Sequence, residues 1–127
     1  DSIKEKMINL HWGISPFYRG EGIVTALAFS GMKNLGVTIH ELDHTSDGGR
    51  IVYQENIKID KFDNFYSIGL KMSVLGTALF IKCAKNKKNI RFEDQDLSKG
   101  MLYNRRYMKL NPNLYFKAWK RLSEIKK

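Results

Sequence analysis

Apolar residues recur at helical spacing in two stretches near the start of the chain. The first stretch predicts an amphipathic helix over residues 3–12, which Gly13-Ile14-Ser15-Pro16 interrupts. Its apolar face comprises Ile3, Met7 and Leu10. The second stretch predicts a helix over residues 22–35, and Gly36 suits its C-terminal cap. Its buried face comprises Ile23, Leu27, Met32 and Leu35.

The pattern then changes to β-rich runs that are separated by polar turns. Residues 37–44 and 50–59 are rich in β-forming residues, and the second run alternates apolar with polar positions. Between them lies Thr45-Ser46-Asp47-Gly48-Gly49, a sequence typical of hairpin turns. After a polar break at residues 60–64, residues 65–72 predict a third strand.

Helices dominate the rest of the predicted order. Residues 73–85 form a helix that is apolar on nearly all sides, and residues 90–93 begin a fourth strand. Residues 97–110 and 114–126 predict two more helices. The fold class is therefore α+β, with a mixed, mainly antiparallel sheet of about four strands and helices packed on its faces.

Length and composition set outer bounds on the protein. A chain of 127 residues fits one domain, residues 1–127. The chain lacks an initiator methionine, which indicates a processed form or a domain excised from a longer protein. No apolar run approaches the roughly 20 residues that span a bilayer. The single cysteine, Cys83, excludes an internal disulfide and is expected to be a buried, inert thiol.

The positive charge of the chain is concentrated in its last third. Residues 1–81 carry eight Lys and Arg against nine Asp and Glu, whereas residues 82–127 carry fourteen against four. This asymmetry predicts a polyanionic partner, such as nucleic acid, a phosphate-bearing cofactor, an acidic protein or an anionic lipid surface. A basic face that only keeps the protein soluble is the alternative.

A phosphate-binding loop is the first candidate for chemistry. The predicted strand 65–72 leads directly into the predicted helix, and Gly76 lies on the first turn of that helix. Glycine lets a ligand approach the backbone, and the free N–H groups and the helix dipole favour a phosphate. The expected loop comprises Met72, Val74, Leu75, Gly76, Thr77 and Ala78.

This loop and the order of elements resemble the GNAT acyltransferase superfamily over about residues 37–107. The acyl-CoA loop of that family follows a Gln/Arg-x-x-Gly-x-Gly/Ala pattern, from which the segment departs at Ser73. Asp96 and Tyr103 keep the spacing of a family Asn and Tyr, with Asp in place of Asn and without the usual Gly-Phe. The stretch Arg19–Val24 matches the loop pattern more closely, but no predicted strand precedes it.

The resemblance implies acyl transfer from a CoA thioester to an amine or hydroxyl. Under it, backbone amides near Met72 polarise the thioester carbonyl, and Tyr103 is the general acid. Glu41, His44 or Glu55 on the hairpin deprotonates the nucleophile. The implied substrate is acyl-CoA, whose phosphates account for the basic residues, and we expect a cytoplasmic site of action.

A basic-aromatic surface is the second candidate. Residues 103–109 and 115–121 interleave basic and aromatic side chains, which can neutralise phosphates and stack on unpaired bases. This pattern is typical of a nucleic-acid-binding or RNA-cleaving toxin domain, in which His40 or His44 would act as acid or base. A pair of amphipathic helices gives the same pattern without any such function.

The third candidate is a zinc hydrolase. His40-Glu41-Leu42-Asp43-His44 is a literal H-E-x-x-H, which on a helix places two zinc-binding histidines on one face. The flanking residues predict a strand instead, and a third ligand has to be chosen among Asp47, Glu55 and Glu93. An interaction module without catalytic chemistry also fits the sequence, which leaves the oligomeric state unknown.

Overall fold

The computed structural model describes residues 7–125. The described elements are, in chain order, β1 (Ile8–His11), β2 (Tyr18–Gly20), α1 (Ile23–Ser30), β3 (Gly36–Glu41), β4 (Ile51–Asn56), α2 (Phe65–Lys85), β5 (Met101–Tyr103), α3 (Arg105–Leu110) and α4 (Asn113–Ile125). Two short 3₁₀ turns, Lys87–Asn89 and Leu97–Lys99, lie between α2 and β5.

The central sheet has three antiparallel strands in the order β1-β3-β4. Side chains alternate between the two faces of a strand, so β1 and β3 each present one apolar and one polar face. Val37 and Ile39 of β3 are fully buried in the core. The polar face carries Asn9, which pairs with His40, and His11, which pairs with Thr38. The sheet therefore separates an apolar side from a side lined by polar groups.

Helix α2 covers the apolar side of this sheet. Asn64 begins the helix with a capping box, since its side chain accepts a hydrogen bond from the Ser67 N–H and the Ser67 hydroxyl accepts one from the Asn64 N–H. The buried positions repeat every three or four residues: Ile68, Met72, Gly76, Leu79 and Cys83. Cys83 is buried as predicted, and burial raises the pKa of its thiol.

A second, two-stranded sheet joins distant parts of the chain. β2 and β5 are parallel, with Gly20 opposite Tyr103. The Tyr103 ring packs in the core beside Tyr18, Phe29 and Tyr107. Gly20 has a φ of 83°, and a side chain there would collide with the Tyr103 carbonyl. Glycine at this position thus permits the close approach of the two strands.

The C-terminal helix completes the core against the first helix. α4 is amphipathic, and its buried residues Leu114, Ala118 and Leu122 follow helical spacing. It contacts α1, whose Leu27 and Ala28 are fully buried. The amphipathic segment predicted over residues 114–126 is confirmed as far as residue 125.

Several predicted elements are wrong in type. Residues 8–11 form a strand and not part of a helix, while residues 1–6 lie outside the described part of the chain. Residues 65–72 form the first two turns of α2 and not a strand, because the Asn64 capping box begins the helix at Phe65. The mixed α/β class stands, but the GNAT-like order does not.

The region after α2 also differs from the prediction. In place of a fourth strand at residues 90–93, a single antiparallel bridge joins Glu93 to Ile51. The predicted helix 97–110 is a 3₁₀ turn, then β5, then the short helix α3. Asn104 caps α3 by accepting a hydrogen bond from the Tyr107 N–H.

The length and apolar content of α2 bear on whether this helix could span a membrane. An 18-residue window of this 21-residue helix has a mean hydropathy of 1.4, which by length and composition alone is enough to cross a membrane. Lys71 and Lys82 interrupt its apolar residues, however, so no uninterrupted apolar run approaches that length. Ile68, Met72 and Cys83 face the core, and core helices of this kind meet the same criterion.

Two glycines of α2 provide a matched test of how this helix packs. A Cβ at Gly76 would lie 2.7 Å from both methyl groups of Leu10, whereas a Cβ at Gly69 would have only Trp12 nearby, at 3.8 Å. We predict that Gly69→Ala raises the free energy of unfolding by about 0.5–1 kcal/mol. Gly76→Ala should give a value lower than that of Gly69→Ala by at least about 1 kcal/mol. Urea unfolding of both variants measures the difference, and equal effects would contradict the packing of Gly76 on Leu10.

Candidate active site

Asp47 lies in the turn between β3 and β4, with its backbone in the left-handed region at a φ of 52°. Few residues other than glycine adopt this conformation, although Asp and Asn tolerate it. Its carboxylate points toward the polar face of the sheet, where the Gly20 N–H donates to Oδ2 at 2.9 Å. The turn thus aims one acidic group at a fixed position.

His11 at the end of β1 contacts the same carboxylate from behind. Its Nδ1 lies 3.3 Å from Asp47 Oδ2, and its Nε2 lies 2.6 Å from the Tyr18 carbonyl oxygen. A carbonyl can only accept, so Nε2 carries a proton and, in the neutral ring, Nδ1 is left as a lone pair facing Asp47. Burial lowers the pKa of His11, although Asp47 and the Tyr18 carbonyl act in the opposite direction.

His40 at the end of β3 contacts the other carboxylate oxygen. Its Nε2 lies 3.3 Å from Asp47 Oδ1, and its Nδ1 donates to the Glu41 carbonyl oxygen at 2.8 Å. Burial acts to lower the pKa of His40, but the hydrogen bonds to Asp47 and Glu41 outweigh it and raise the pKa above its ordinary value. The register of β3 on β4 shifts between Ile39 and His40, which is a bulge at the site.

Asn9 of β1 completes the group. Its Nδ2 lies 3.3 Å from His40 Nε2 and donates toward Asp47 Oδ1 at 3.5 Å. Burial acts to raise the pKa of Asp47, but His40, His11 and the Gly20 N–H together hold it below its ordinary value. Asp47 is therefore an anion with hydrogen-bond donors on both oxygens at neutral pH.

A cleft of about 420 Å³ opens onto this group. Asn9, His40 and Asp47 line it, whereas His11 lies behind the carboxylate and is 5% exposed. The remaining walls come from Gly20, from the 42–46 segment of the turn, from Leu102 of β5, and from Asn104 just after that strand. A substrate in the cleft would thus meet the Asn9 amide, the His40 imidazole and the Asp47 carboxylate of this group.

A hydrogen-bond network behind the cleft fixes the loop that follows β1. The Thr38 hydroxyl donates to the Gly13 carbonyl at 2.6 Å and accepts from the Ser15 N–H and from Gln54 Nε2. The Ser15 hydroxyl in turn donates to the Asp47 carbonyl at 3.2 Å. The loop and the Asp47 turn are therefore tied to each other, which keeps Asn9, His11 and Asp47 in register.

The structure separates the residues that the sequence grouped as catalytic. His44 lines the cleft, but the carboxylate of Glu41 binds Arg50, with Oε2 2.7 Å from the arginine Nε. Tyr103 is buried, and burial raises the pKa of its phenol. Glu55 is exposed on β4. None of the observations tests a catalytic role for these side chains.

The expected phosphate loop does not exist as a loop. Met72, Gly76 and their neighbours lie in the middle of α2, where backbone N–H groups bond within the helix and are not free for a ligand. Position 76 is occupied by glycine because a side chain there would collide with Leu10. The residues that were expected in this loop and instead lie within α2 are Met72, Val74, Leu75, Gly76, Thr77 and Ala78.

The fold also places the two histidines of the proposed zinc motif in different elements. His40 lies on a strand and His44 in the following turn, so they do not share a helix face. Within residues 7–125, no cluster of three or more histidine, cysteine and acidic side chains is placed to hold a metal ion.

Comparison with known proteins identifies the family. The family model of the formyl transferases matches residues 1–83, which include Asn9, His11 and Asp47. The chain belongs to the formyl transferase family. It is 36% identical over 93 residues to the methionyl-tRNA formyltransferase of Caldicellulosiruptor saccharolyticus, and 34% identical over 94 residues to that of Kosmotoga olearia. These matches cover 73% and 72% of this chain, which spans about 30% of the length of either relative.

Solved formyltransferases share the fold of this family member. The formyltransferase PseJ from Anoxybacillus kamchatkensis superposes with a TM-score of 0.76 at 20% identity, covering 94% of this chain and 66% of that chain. An N-formyltransferase from Helicobacter canadensis superposes with a TM-score of 0.75 at 20% identity, covering 92% and 47%. At these identities the likeness shows a common fold.

Family membership overturns the functions expected from the sequence. The resemblance to GNAT enzymes was wrong, and with it acyl-CoA as substrate, since the matched family transfers formyl groups. The RNA-cleaving toxin and the zinc hydrolase are excluded by the same matches. Of the functions predicted from the sequence, only the general class of transferase is confirmed.

Asn9, His11 and Asp47 were missed as functional residues. The signal was the alternation of Ile8-Asn9-Leu10-His11, which fits a strand with two polar side chains on one face, but Ile3, Met7 and Leu10 also fit a helix. Asp47 was taken only as a turn residue and as a guessed zinc ligand. The stretch Arg19–Val24, discounted for want of a strand, begins within β2 and places Gly20 against Asp47.

The two imidazoles on Asp47 should titrate in a fixed order. We predict that His40 has a pKa above 6.5 and His11 a pKa below 6.5. Burial lowers the pKa of both rings, but at His40 the interactions with Asp47 and Glu41 together outweigh it, whereas at His11 burial prevails. Histidine side-chain NMR across pH 4–9 measures both values. In Asp47→Asn the pKa of both rings should fall, since each loses the carboxylate. A pKa of His11 above that of His40 in the unchanged protein would contradict the geometry.

Proposed function

We propose that this chain carries the reacting groups of a folate-dependent N-formyltransferase. The observation that supports this proposal is that Asn9, His40 and Asp47 meet at an open cleft in a member of the formyl transferase family. The reaction moves a formyl group from an N-formyl-tetrahydrofolate to a primary amine. Its donor class is taken from solved relatives, of which one was crystallised with tetrahydrofolate and another with folinic acid.

Asn9 is suited to bind the formyl oxygen. Attack of an amine on the formyl carbon places negative charge on that oxygen, and a fixed N–H donor stabilises the charge. The Asn9 amide lines the cleft and is oriented by His40 and Asp47. The amide nitrogen carries two protons, so Asn9 can stay bonded to these neighbours through one proton and donate the other to the substrate.

Asp47 is suited to take the proton that the amine loses. An amine becomes far more acidic once its nitrogen bonds to the formyl carbon, so a carboxylate of low pKa can accept its proton. His11 presents the Nδ1 lone pair 3.3 Å behind Asp47 Oδ2, and His40 lies at the same distance from Oδ1. The proton can pass through this group to the donor nitrogen as the bond between that nitrogen and the formyl carbon breaks, so the transfer is balanced.

For the acceptor we propose the amine of a nucleotide-linked amino sugar. Solved enzymes of this class align over more than nine-tenths of this chain. One was crystallised with dTDP-3-aminofucose and another with UDP-4,6-dideoxy-4-formamido-L-AltNAc. The methionyl-tRNA formyltransferases match about three-quarters of the chain or less.

The reaction can be tested directly. We expect the purified protein to transfer one formyl group from N-formyl-tetrahydrofolate to a UDP- or dTDP-linked amino sugar, detected by mass spectrometry of the product. Formylation of methionyl-tRNA in place of the sugar would keep the transfer and overturn the acceptor. Absence of transfer to either acceptor, with the protein shown by circular dichroism to be folded, would overturn the proposed function.

Substitutions at the cleft should separate the two roles. We predict that Asn9→Ala and Asp47→Asn each lower kcat by about 100-fold or more, because one removes the oxyanion donor and the other the proton acceptor. Asn86→Ala and Asp60→Asn are matched controls outside the cleft and should keep kcat within about threefold. Steady-state kinetics measure the effects, and near-normal turnover in Asp47→Asn would remove Asp47 from the chemistry.

A further inference from the structure

The segment that follows α2 returns to the turn that carries Asp47. Glu93 forms two backbone hydrogen bonds with Ile51 at the start of β4, at 2.7 and 2.8 Å. This bridge is short, yet it places Gln95 beside the turn. The segment lies outside residues 1–83, which the family model matches.

Gln95 bonds the backbone of the turn on both sides of its glycine pair. Its Nε2 donates to the Asp47 carbonyl at 3.2 Å and to the Gly49 carbonyl at 2.5 Å. Two carbonyl acceptors fix the orientation of the amide, because only its nitrogen can donate. Gln95 is half-buried, and its Oε1 has no hydrogen-bond partner within the described residues.

The turn needs such restraints to keep the Asp47 carboxylate directed between the two imidazoles. Asp47 has a left-handed backbone, and Gly48 and Gly49, which follow it, have the widest conformational freedom of any residue. The Asp47 carbonyl is held by two donors, Ser15 Oγ and Gln95 Nε2. These two hydrogen bonds fix the orientation of the Asp47 peptide group and so restrain the backbone from which the Asp47 side chain projects toward His11 and His40.

We propose that Gln95 is a positioning residue for Asp47. It holds the turn in the conformation that directs the carboxylate between the two imidazoles, and so sets both the reactivity of Asp47 and the titration of His40. The catalytic part of this inference rests on the proposed function, whereas the titration part does not. Gln95 is not among the residues that line the cleft.

The first experiment reads the position of Asp47 without any enzyme assay. Gln95→Met keeps the length of the side chain but removes both donated hydrogen bonds. The charged or titratable groups that act on the two imidazoles are Asp47 on both, Asp43 on His40, and Glu21 and His40 on His11. We expect the pKa of His40, measured by NMR, to fall in Gln95→Met as the carboxylate withdraws. Asn56→Ala, which removes a single amide bond to the Lys33 carbonyl far from the turn, should leave it unchanged.

The second experiment measures turnover. Gln95→Met should lower kcat by about 10- to 100-fold with KM within about threefold, because a displacement of about 1 Å costs that much in a positioned group. In an Asp47→Asn background the same change should have no further effect on kcat, since the group that Gln95 positions is already absent. Independent, multiplicative losses would overturn the proposal.

Outcomes of the two experiments separate the two hypotheses. If the unchanged protein transfers no formyl group, the proposed function fails, and the titration of His40 still decides the role of Gln95. An unchanged pKa of His40 in folded Gln95→Met overturns the positioning role. If Gln95→Met does not fold, Ser15→Ala removes the other donor to the Asp47 carbonyl and should lower the same pKa. An unchanged pKa of His40 there overturns the role of this carbonyl in aiming Asp47.

Discussion

The placement of the Asp47 carboxylate is the constraint on which the site depends. A single turn residue in a left-handed conformation is held by β1 through His11, by β3 through His40, and by the backbone of β2 at Gly20. Its carbonyl is held in addition from the loop after β1 and from the segment after α2. No local stretch of sequence contains this arrangement, because each contact requires a different pair of elements to meet.

The parts of the fold that sequence predicts well are those whose partners are near in the chain. The β3–β4 hairpin follows from two β-rich runs around a Ser-Asp-Gly-Gly turn, and α4 follows from its own amphipathic spacing. β2 and β5 have three residues each and pair across about eighty positions, so their short sequences carry no pattern to detect. Residues 65–72 were misassigned because their apolar, aromatic content suits a strand, whereas the deciding signal was the Asn64 cap.

The site was harder to predict than the fold for the same physical reason. Asn9 and His11 face Asp47 only because β1 pairs with β3, and that pairing brings together residues about thirty positions apart. The predicted phosphate loop around Gly76 and the H-E-x-x-H motif at residues 40–44 were chance matches to local patterns. Gly76 is small for helix-to-sheet packing, and the His40–His44 spacing spans a strand end and a turn. His40 was named only as a zinc ligand or as a nuclease acid or base, whereas the structure places it beside Asp47.

The concentration of basic residues describes the surface and not the reacting groups. On α4 the apolar residues Leu114, Ala118 and Leu122 face inward, and its basic residues are exposed, as an amphipathic helix requires. Some cations of the basic last third lie over aromatic rings, as Lys117 of α4 does over Phe29 and Lys82 of α2 over Tyr53. The cleft instead presents Asn9, His40 and the acidic residues Asp43 and Asp47. For the nucleotide-linked amino sugar that we propose as acceptor, the field of the whole domain would attract the phosphates, and the amine would meet the locally acidic cleft.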